Sequence, residues 1–250
     1  MPHIYWSNGF QRNGRNELRI DPIRGAEMNH PETCCIHNAV FLPIAFAARE
    51  SGASSKALFA AKTPGGEFRF FRDRISFHFE KEGNSGAPLE LLFCGAQKET
   101  SLRGEGERRG RLNYVLGGYA EDWHPGLAVY EKLKYEGLWQ GVDLELFGDA
   151  YGLKFVWSLQ KAEDVLSILL CWEGAEALAL SGDGSLLIRH PHGIWADAAP
   201  RAWQDAANGR KKVCCAYRLL GENAFGFELS GNWERGAPLT IDPMLTLSAL

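Results

Sequence analysis

Phe68-Arg69-Phe70-Phe71-Arg72-Asp73-Arg74-Ile75-Ser76-Phe77-His78-Phe79 carries two alternating runs around a short charged break. Phe68 and Phe70, then Ile75, Phe77 and Phe79, share one face, and Arg69, Ser76 and His78 take the other. A period of two is what a strand with one dry and one wet face requires. Arg72-Asp73 supplies the turn, so the stretch reads as a β-hairpin. Working outward, Leu89 to Phe93 is a short apolar strand closed by Gly95. Val142, Leu144 and Leu146 alternate with Asp143 and Glu145, Gly148-Asp149 turns the chain, and Leu153, Phe155 and Trp157 resume the alternation. Ser167 to Trp172 reads as a strand buried on both faces. Leu178-Ala179-Leu180 and Leu186-Leu187-Ile188 flank Gly182-Asp183-Gly184, a hairpin whose glycines can take positive φ. Val213, Cys215, Tyr217 and Leu219 form a further strand, followed by Phe225, Phe227 and Leu229 and closed by Leu239-Thr240-Ile241.

Helix signals are few: a short helix within Glu32 to Glu50 broken near Pro43, and one turn at Glu163 to Val165. Closely spaced strands without a βαβ rhythm predict a mostly β chain with little helix. The expected architecture is an antiparallel β-sandwich, with two packed β subdomains as an alternative. Residues 1–38 read as an N-terminal extension and 39–250 as the β-rich domain. The Gly/Arg/Glu stretch from Arg103 to Arg111 reads as an exposed loop and admits a subdivision near 103–120.

With 250 residues and 45% apolar content, the chain can bury one large core or two modest ones. Its net charge of −4 gives no electrostatic ground for nucleic acid or an anionic membrane as partner. Arg103, Arg108, Arg109 and Arg111 are basic, but Glu105 and Glu107 interleave with them and no aromatic accompanies them, which points away from nucleic acid. The longest apolar run, Ala39 to Ala48, is interrupted by Pro43 and falls short of the ~20 residues of a membrane helix, so no membrane insertion is expected. Met1-Pro2-His3-Ile4-Tyr5-Trp6 has neither the basic nor the apolar region of a secretory signal. The expectation is a chain with no export signal of its own, and a cytoplasmic origin stays open.

From about residue 40 onward a series of short motifs follows in order. Leu91-Leu92-Phe93-Cys94-Gly95-Ala96 is a strand ending in Gly-Ala, and Asn113-Tyr114-Val115-Leu116-Gly117-Gly118 precedes Trp123. Tyr135 leads into Gly141-Val142-Asp143-Leu144, Pro200-Arg201-Ala202-Trp203-Gln204 follows, and Ile241-Asp242-Pro243 closes the set. This series resembles the uncharacterised N-terminal β-rich domain that precedes SBBP-type β-propeller repeats in bacterial surface or secreted proteins. Two departures stand out: Phe46-Ala47-Ala48-Arg49-Glu50-Ser51-Gly52 replaces that family's opening Asn-x-Gly-Gln segment, and these 250 residues do not include the propeller that follows its Ile-Asp-Pro, which leaves a stand-alone version and a part of a longer chain both open. The resemblance implies a cell-surface or extracellular setting and, as partners, other protein subunits or a downstream β-propeller domain. It supplies no reaction. The motif residues themselves have structural readings: Gly117 and Gly141 at turns, Asn113 and Asp143 bonding local backbone, and Pro243 ending the last strand, with Tyr114, Pro200, Gln204, Ile241 and Asp242 assigned to the same structural set.

Candidate chemistry is sparse. His30, Cys34, Cys35 and His37 combine thiols and imidazoles, but adjacent cysteines rarely reach one tetrahedral ion. His190-Pro191-His192 presents two imidazoles on one face of an extended segment without a third ligand. Asp143 and Glu145 share a strand face, either as paired carboxylates or as the wet side of a half-buried strand. There is no Gly-x-Ser-x-Gly, no phosphate loop and no His-Glu-x-x-His. Accordingly neither catalytic residues nor a cofactor is expected. Of the six cysteines, Cys34, Cys35 and Cys214 are candidates for intermolecular disulfides, against buried inert thiols; Cys215 shares a face with Val213 and Tyr217 and is assigned to the core. Among the eight tryptophans, Trp123, Trp139, Trp195, Trp203 and Trp233 lie beside turn or charged residues, either as platforms for glycans or partners or as plugs at the sandwich ends. The leading expectation is a non-enzymatic structural or interaction module. A carbohydrate-binding domain is the rival, and a metal-dependent enzyme using His190, His192 and a carboxylate is a third reading.

Overall fold

Alternation dominates the chain because nearly every apolar run faces one shared core, and the resulting fold is mostly antiparallel β. The computed structural model describes residues 44–48, 57–63, 65–79, 87–115, 123–148, 152–206 and 209–246. All belong to the compact unit Leu42–Leu250. In chain order the strands are β1 (Phe46–Ala48), β2 (Phe59–Thr63), β3 (Gly66–Phe70), β4 (Arg74–Phe79), β5 (Leu89–Phe93), β6 (Ser101–Val115), β7 (Trp123–Trp139), β8 (Val142–Gly148) and β9 (Gly152–Leu159). After the 3-10 turn Ala162–Ser167 come β10 (Leu170–Glu173), β11 (Ala177–Leu180), β12 (Leu186–His190), β13 (Gly193–Asp197), β14 (Arg201–Ala206), β15 (Gly209–Leu219), β16 (Ala224–Ser230), β17 (Leu239–Asp242) and β18 (Met244–Thr246).

Local meanders are joined into a closed circuit by three non-local seams. β1 pairs with both β2 and β7, Ala47 standing opposite Ala60 on one side and Val129 on the other. β10 pairs with β5 and β16, and β17 pairs with β14 and β9. Following neighbours from β1 through β2, β3, β4, β5, β10, β16, β15, β14, β17, β9, β8 and β7 returns to β1. Closure satisfies backbone groups that open edges would leave unpaired.

One branch leaves this circuit at a pair of prolines. β9 pairs with β17 through Trp157–Leu159 and with β18 through Gly152–Lys154. Between them sits buried Pro243, which cannot donate to a ladder. Instead, the Phe155 amide donates to its carbonyl at 3.3 Å. On the opposite side Arg201 pairs with Asp242 and Asp197 with Leu245, and the intervening Ala198-Ala199-Pro200 is the matching break. The ladder therefore forks. β14 continues into β15 and β16, while β13 continues into β12 and β11.

The branch lies over the β3–β4 hairpin. The Trp195 ring on β13 meets Phe77 edge-on at 4.7 Å between centroids and Phe68 at 6.2 Å. This is the expected sandwich-like layering, and one apolar cluster runs through it, with Trp157, Tyr135, Phe46, Phe68 and Phe70 fully buried. Burying an aromatic of this size stabilises by about 2–3 kcal/mol each before entropy is subtracted.

Three local expectations are corrected. The helix within Glu32 to Glu50 is, over its described part, strand β1, whose Phe46 and Ala47 are buried between β2 and β7. The stretch Arg103 to Arg111 belongs to strand β6, where its charges find partners on β7, Arg103 against Glu136 and Glu105 against Lys132. Ser167 to Trp172 is doubly buried nowhere: β10 starts at Leu170, Leu170 and Trp172 point inward, and Cys171 points outward. The single turn expected at Glu163 to Val165 is present as the 3-10 turn.

Candidate functional site

The motif residues act first on the backbone. β7 carries a bulge between Tyr135 and Trp139, where Gly137 has φ of 64°. Asp143 Oδ1 accepts the Gly137 amide at 2.9 Å, which satisfies a donor that the bulge removes from the ladder. Gly141 closes the β7–β8 turn at φ 74°, and its carbonyl accepts the Gln160 amide at 2.8 Å. Gln204 is buried and clamps the 233–237 loop: its Nε2 donates to Glu234 O at 2.7 Å while its Oε1 accepts the Glu234 amide at 2.9 Å. Ile241 is fully buried, and Asp242 pairs with Lys154 at 2.9 Å. Pro200 and Pro243 form the fork. Asn113 and Tyr114 fall in β6, and Gly117 lies outside the described residues.

Charges on the β6–β7–β8 face form a ladder. Lys132 bridges Glu105 at 2.9 Å and Glu145 at 3.2 Å, while Lys134 lies 3.4 Å from Glu136 and 3.6 Å from Asp143. Hydrogen bonds from Lys132 and Arg103 hold the Glu105 carboxyl below its usual range, and Glu105, then Glu145, raise the Lys132 ammonium. Asp143 and Glu145 are thus engaged by lysines on the wet face of their strand.

His190 is buried and stacks on Phe79 at 4.5 Å, and its Nδ1 accepts the His192 amide at 3.2 Å. Burial, with the neighbouring His192 second, lowers its pKa. Among the described residues no group of three or more His, Cys, Asp or Glu is placed to hold a metal ion. His30, Cys34, Cys35 and His37 lie outside the described residues.

Trp139 and Trp195 are buried, and Trp139 Nε1 donates to Cys94 O at 3.1 Å. Trp203 and Trp233 are half-buried, covered by the guanidinium groups of Arg210 at 4.7 Å and Arg235 at 5.7 Å. Trp123 opens β7. Cys214 is an exposed free thiol on β15, while Cys215 faces inward and burial pushes its thiol to about 12.

Two features went unnoticed in the sequence. The first is an acid at the fork. Asp197 is buried with Oδ1 unpartnered, and burial pushes its carboxyl up to about 7 against a hydrogen bond from Tyr217. Tyr217 reaches from β15 to the fork, where its single hydroxyl proton is shared between Asp197 and Ala198 O, the latter at 3.3 Å. The second is an apolar corner where the β10 seam meets the 3-10 turn. Leu166 is 69% exposed, Leu220 42% and Leu169 36%. Gly226 permits the close approach here, since a Cβ on it would lie 2.7 Å from Ile168 O and 3.6 Å from Leu220 Cδ1. The Leu169 carbonyl in turn accepts the Cys94 amide at 2.9 Å.

These features define a closed antiparallel β domain whose ordered motif residues serve the backbone. The chain belongs to the family described as a domain of unknown function, DUF7948, whose model matches residues 46–244. That span runs from the first residue of β1 to the first of β18. No curated protein and no solved structure matches the chain.

Proposed function

We propose that this domain is a non-enzymatic structural or protein-interaction module of a bacterial surface or extracellular assembly. The observation that carries the reading is the corner formed by Leu166, Leu169 and Leu220, large aliphatic side chains left in solvent beside a well-filled core. Such clustered exposure marks contact surfaces more often than isolated leucines do. The motif series supports the setting, through its resemblance to domains that precede β-propeller repeats, and gives as partners other protein subunits or such a propeller. A rival reading, a glycan-binding domain, rests on Trp203 and Trp233, which retain partial exposure. A mass measurement by light scattering over a concentration series, with and without reductant, tests the proposal. Association that Leu220→Asp weakens supports it. A monomer at every concentration, combined with glycan-dependent tryptophan quenching, replaces it with the rival.

A further inference from the structure

Cys94 and Cys171 lie far apart in the chain and meet across the β5–β10 seam. Leu170 stands opposite Phe93 and Cys171 opposite Leu92, so Cys94, one residue past β5, is the diagonal neighbour of Cys171. Inward-facing Leu91, Phe93, Leu170 and Trp172 are buried, which places both cysteines on the outer face, where each is half-exposed as a free thiol. The two side chains are hydrogen-bonded neighbours. The Cys94 backbone is fixed on both sides, its amide donating to Leu169 O at 2.9 Å and its carbonyl accepting Trp139 Nε1 at 3.1 Å. Diagonal neighbours stand roughly 7–8 Å apart, at the upper edge of what a disulfide spans, so closure takes side-chain rotation together with a small shift of the strand ends at the seam.

We propose that Cys94 and Cys171 form a redox site that closes to an intramolecular disulfide, stapling β5 to β10 across the seam. The oxidant is a disulfide of low molecular weight, of the glutathione type. Cys171, as thiolate, attacks one of its sulfurs, forming a mixed disulfide and expelling one thiolate, which takes up a proton. Cys94 then loses its proton to solvent and attacks the Cys171 sulfur, expelling the second thiolate, which is protonated in turn. Two protein thiols are oxidised and one disulfide is reduced to two thiols, so electrons and protons balance. Burial, Cys171 and Glu173 push the Cys94 thiol to about 12, so little of it is thiolate at neutral pH and this second, intramolecular attack is the slow step. This site is independent of Cys214, a free thiol exposed on β15.

The test uses the full chain, incubated natively with oxidised glutathione, alkylated, and digested without reductant. The expected result is a peptide pair linking Cys94 to Cys171, lighter than the two free peptides by two hydrogen atoms, in protein of monomer mass. Because the bond closes a loop of roughly 80 residues, Tm should rise by roughly 10 °C on oxidation and fall back with a dithiol reductant. Neither Cys171→Ser nor Cys94→Ala should show the rise, and the unmodified chain compared before and after oxidation serves if either variant fails to fold. Recovery of both cysteines as alkylated thiols, as glutathione adducts that never resolve, or linked to other cysteines would overturn the proposal.

Discussion

Asp197→Asn should make the protein more stable at alkaline pH than at acidic pH, relative to the parent chain. The carboxyl is buried at the fork with Oδ1 unpartnered, and its pKa rises from 3.8 to about 7, chiefly through burial. Each tenfold change in proton affinity is worth about 1.4 kcal/mol, so ionising Asp197 costs the native state about 4 kcal/mol. Below pH 3.8 both folded and unfolded chains hold the proton and the group contributes nothing. Between 3.8 and about 7 the unfolded chain ionises while the folded one stays protonated, so stability falls as pH rises. Above that window both are ionised and the full penalty stands. Asparagine has a similar shape and no charge to bury. Urea midpoints for parent and variant, taken at steps from pH 4.5 to 8.5, give a difference in which unaffected groups cancel. That difference should climb in the variant's favour by about 3–4 kcal/mol. A difference that is flat across the series would show that the buried carboxyl is not the titrating group.

Two further substitutions probe the backbone devices. Gly66→Ala should destabilise by about 2–3 kcal/mol in denaturant unfolding, because the new Cβ would lie 2.1 Å from His78 O at a φ of 151°. Gln204→Ala should cost about 1–3 kcal/mol and speed hydrogen exchange at the Glu234 amide, which loses its acceptor. Unchanged exchange there would detach the clamp from the loop.

Much of the fold was legible because each hairpin writes its own alternation. Phe68 to Phe79, Leu178 to Ile188 and Val213 to Leu229 all pair as their periods predict. What escaped was non-local. Arg103 to Arg111 is polar on both faces and resembles a loop until β7 supplies Glu136 for Arg103 and Lys132 for Glu105. Cys171 between Leu170 and Trp172 gives no sign of Cys94, because the β5–β10 pairing is set by tertiary closure. Asp197 escapes notice because the short strand Gly193–Asp197 carries no strong alternation; within it Asp197 shares the inward face with Trp195. The structural role of the motif residues was readable at Asp143, where an Asx beside a turn bonds local backbone. Gln204 required knowledge of where residues 233–237 fold back.

The position of β17 and β18 has a consequence for synthesis. They are the last described strands in chain order, yet they fill the slot between β9 and the β13–β14 line. On a ribosome, the chain up to Pro238 would emerge with that slot empty and two unpaired strand rims facing it. The circuit can close only when residues 239–246 arrive, so assembly is late and depends on long-range pairing. In the interval an identical segment from a neighbouring nascent chain has the same complementarity to the slot, which makes strand exchange the characteristic misassembly of this architecture.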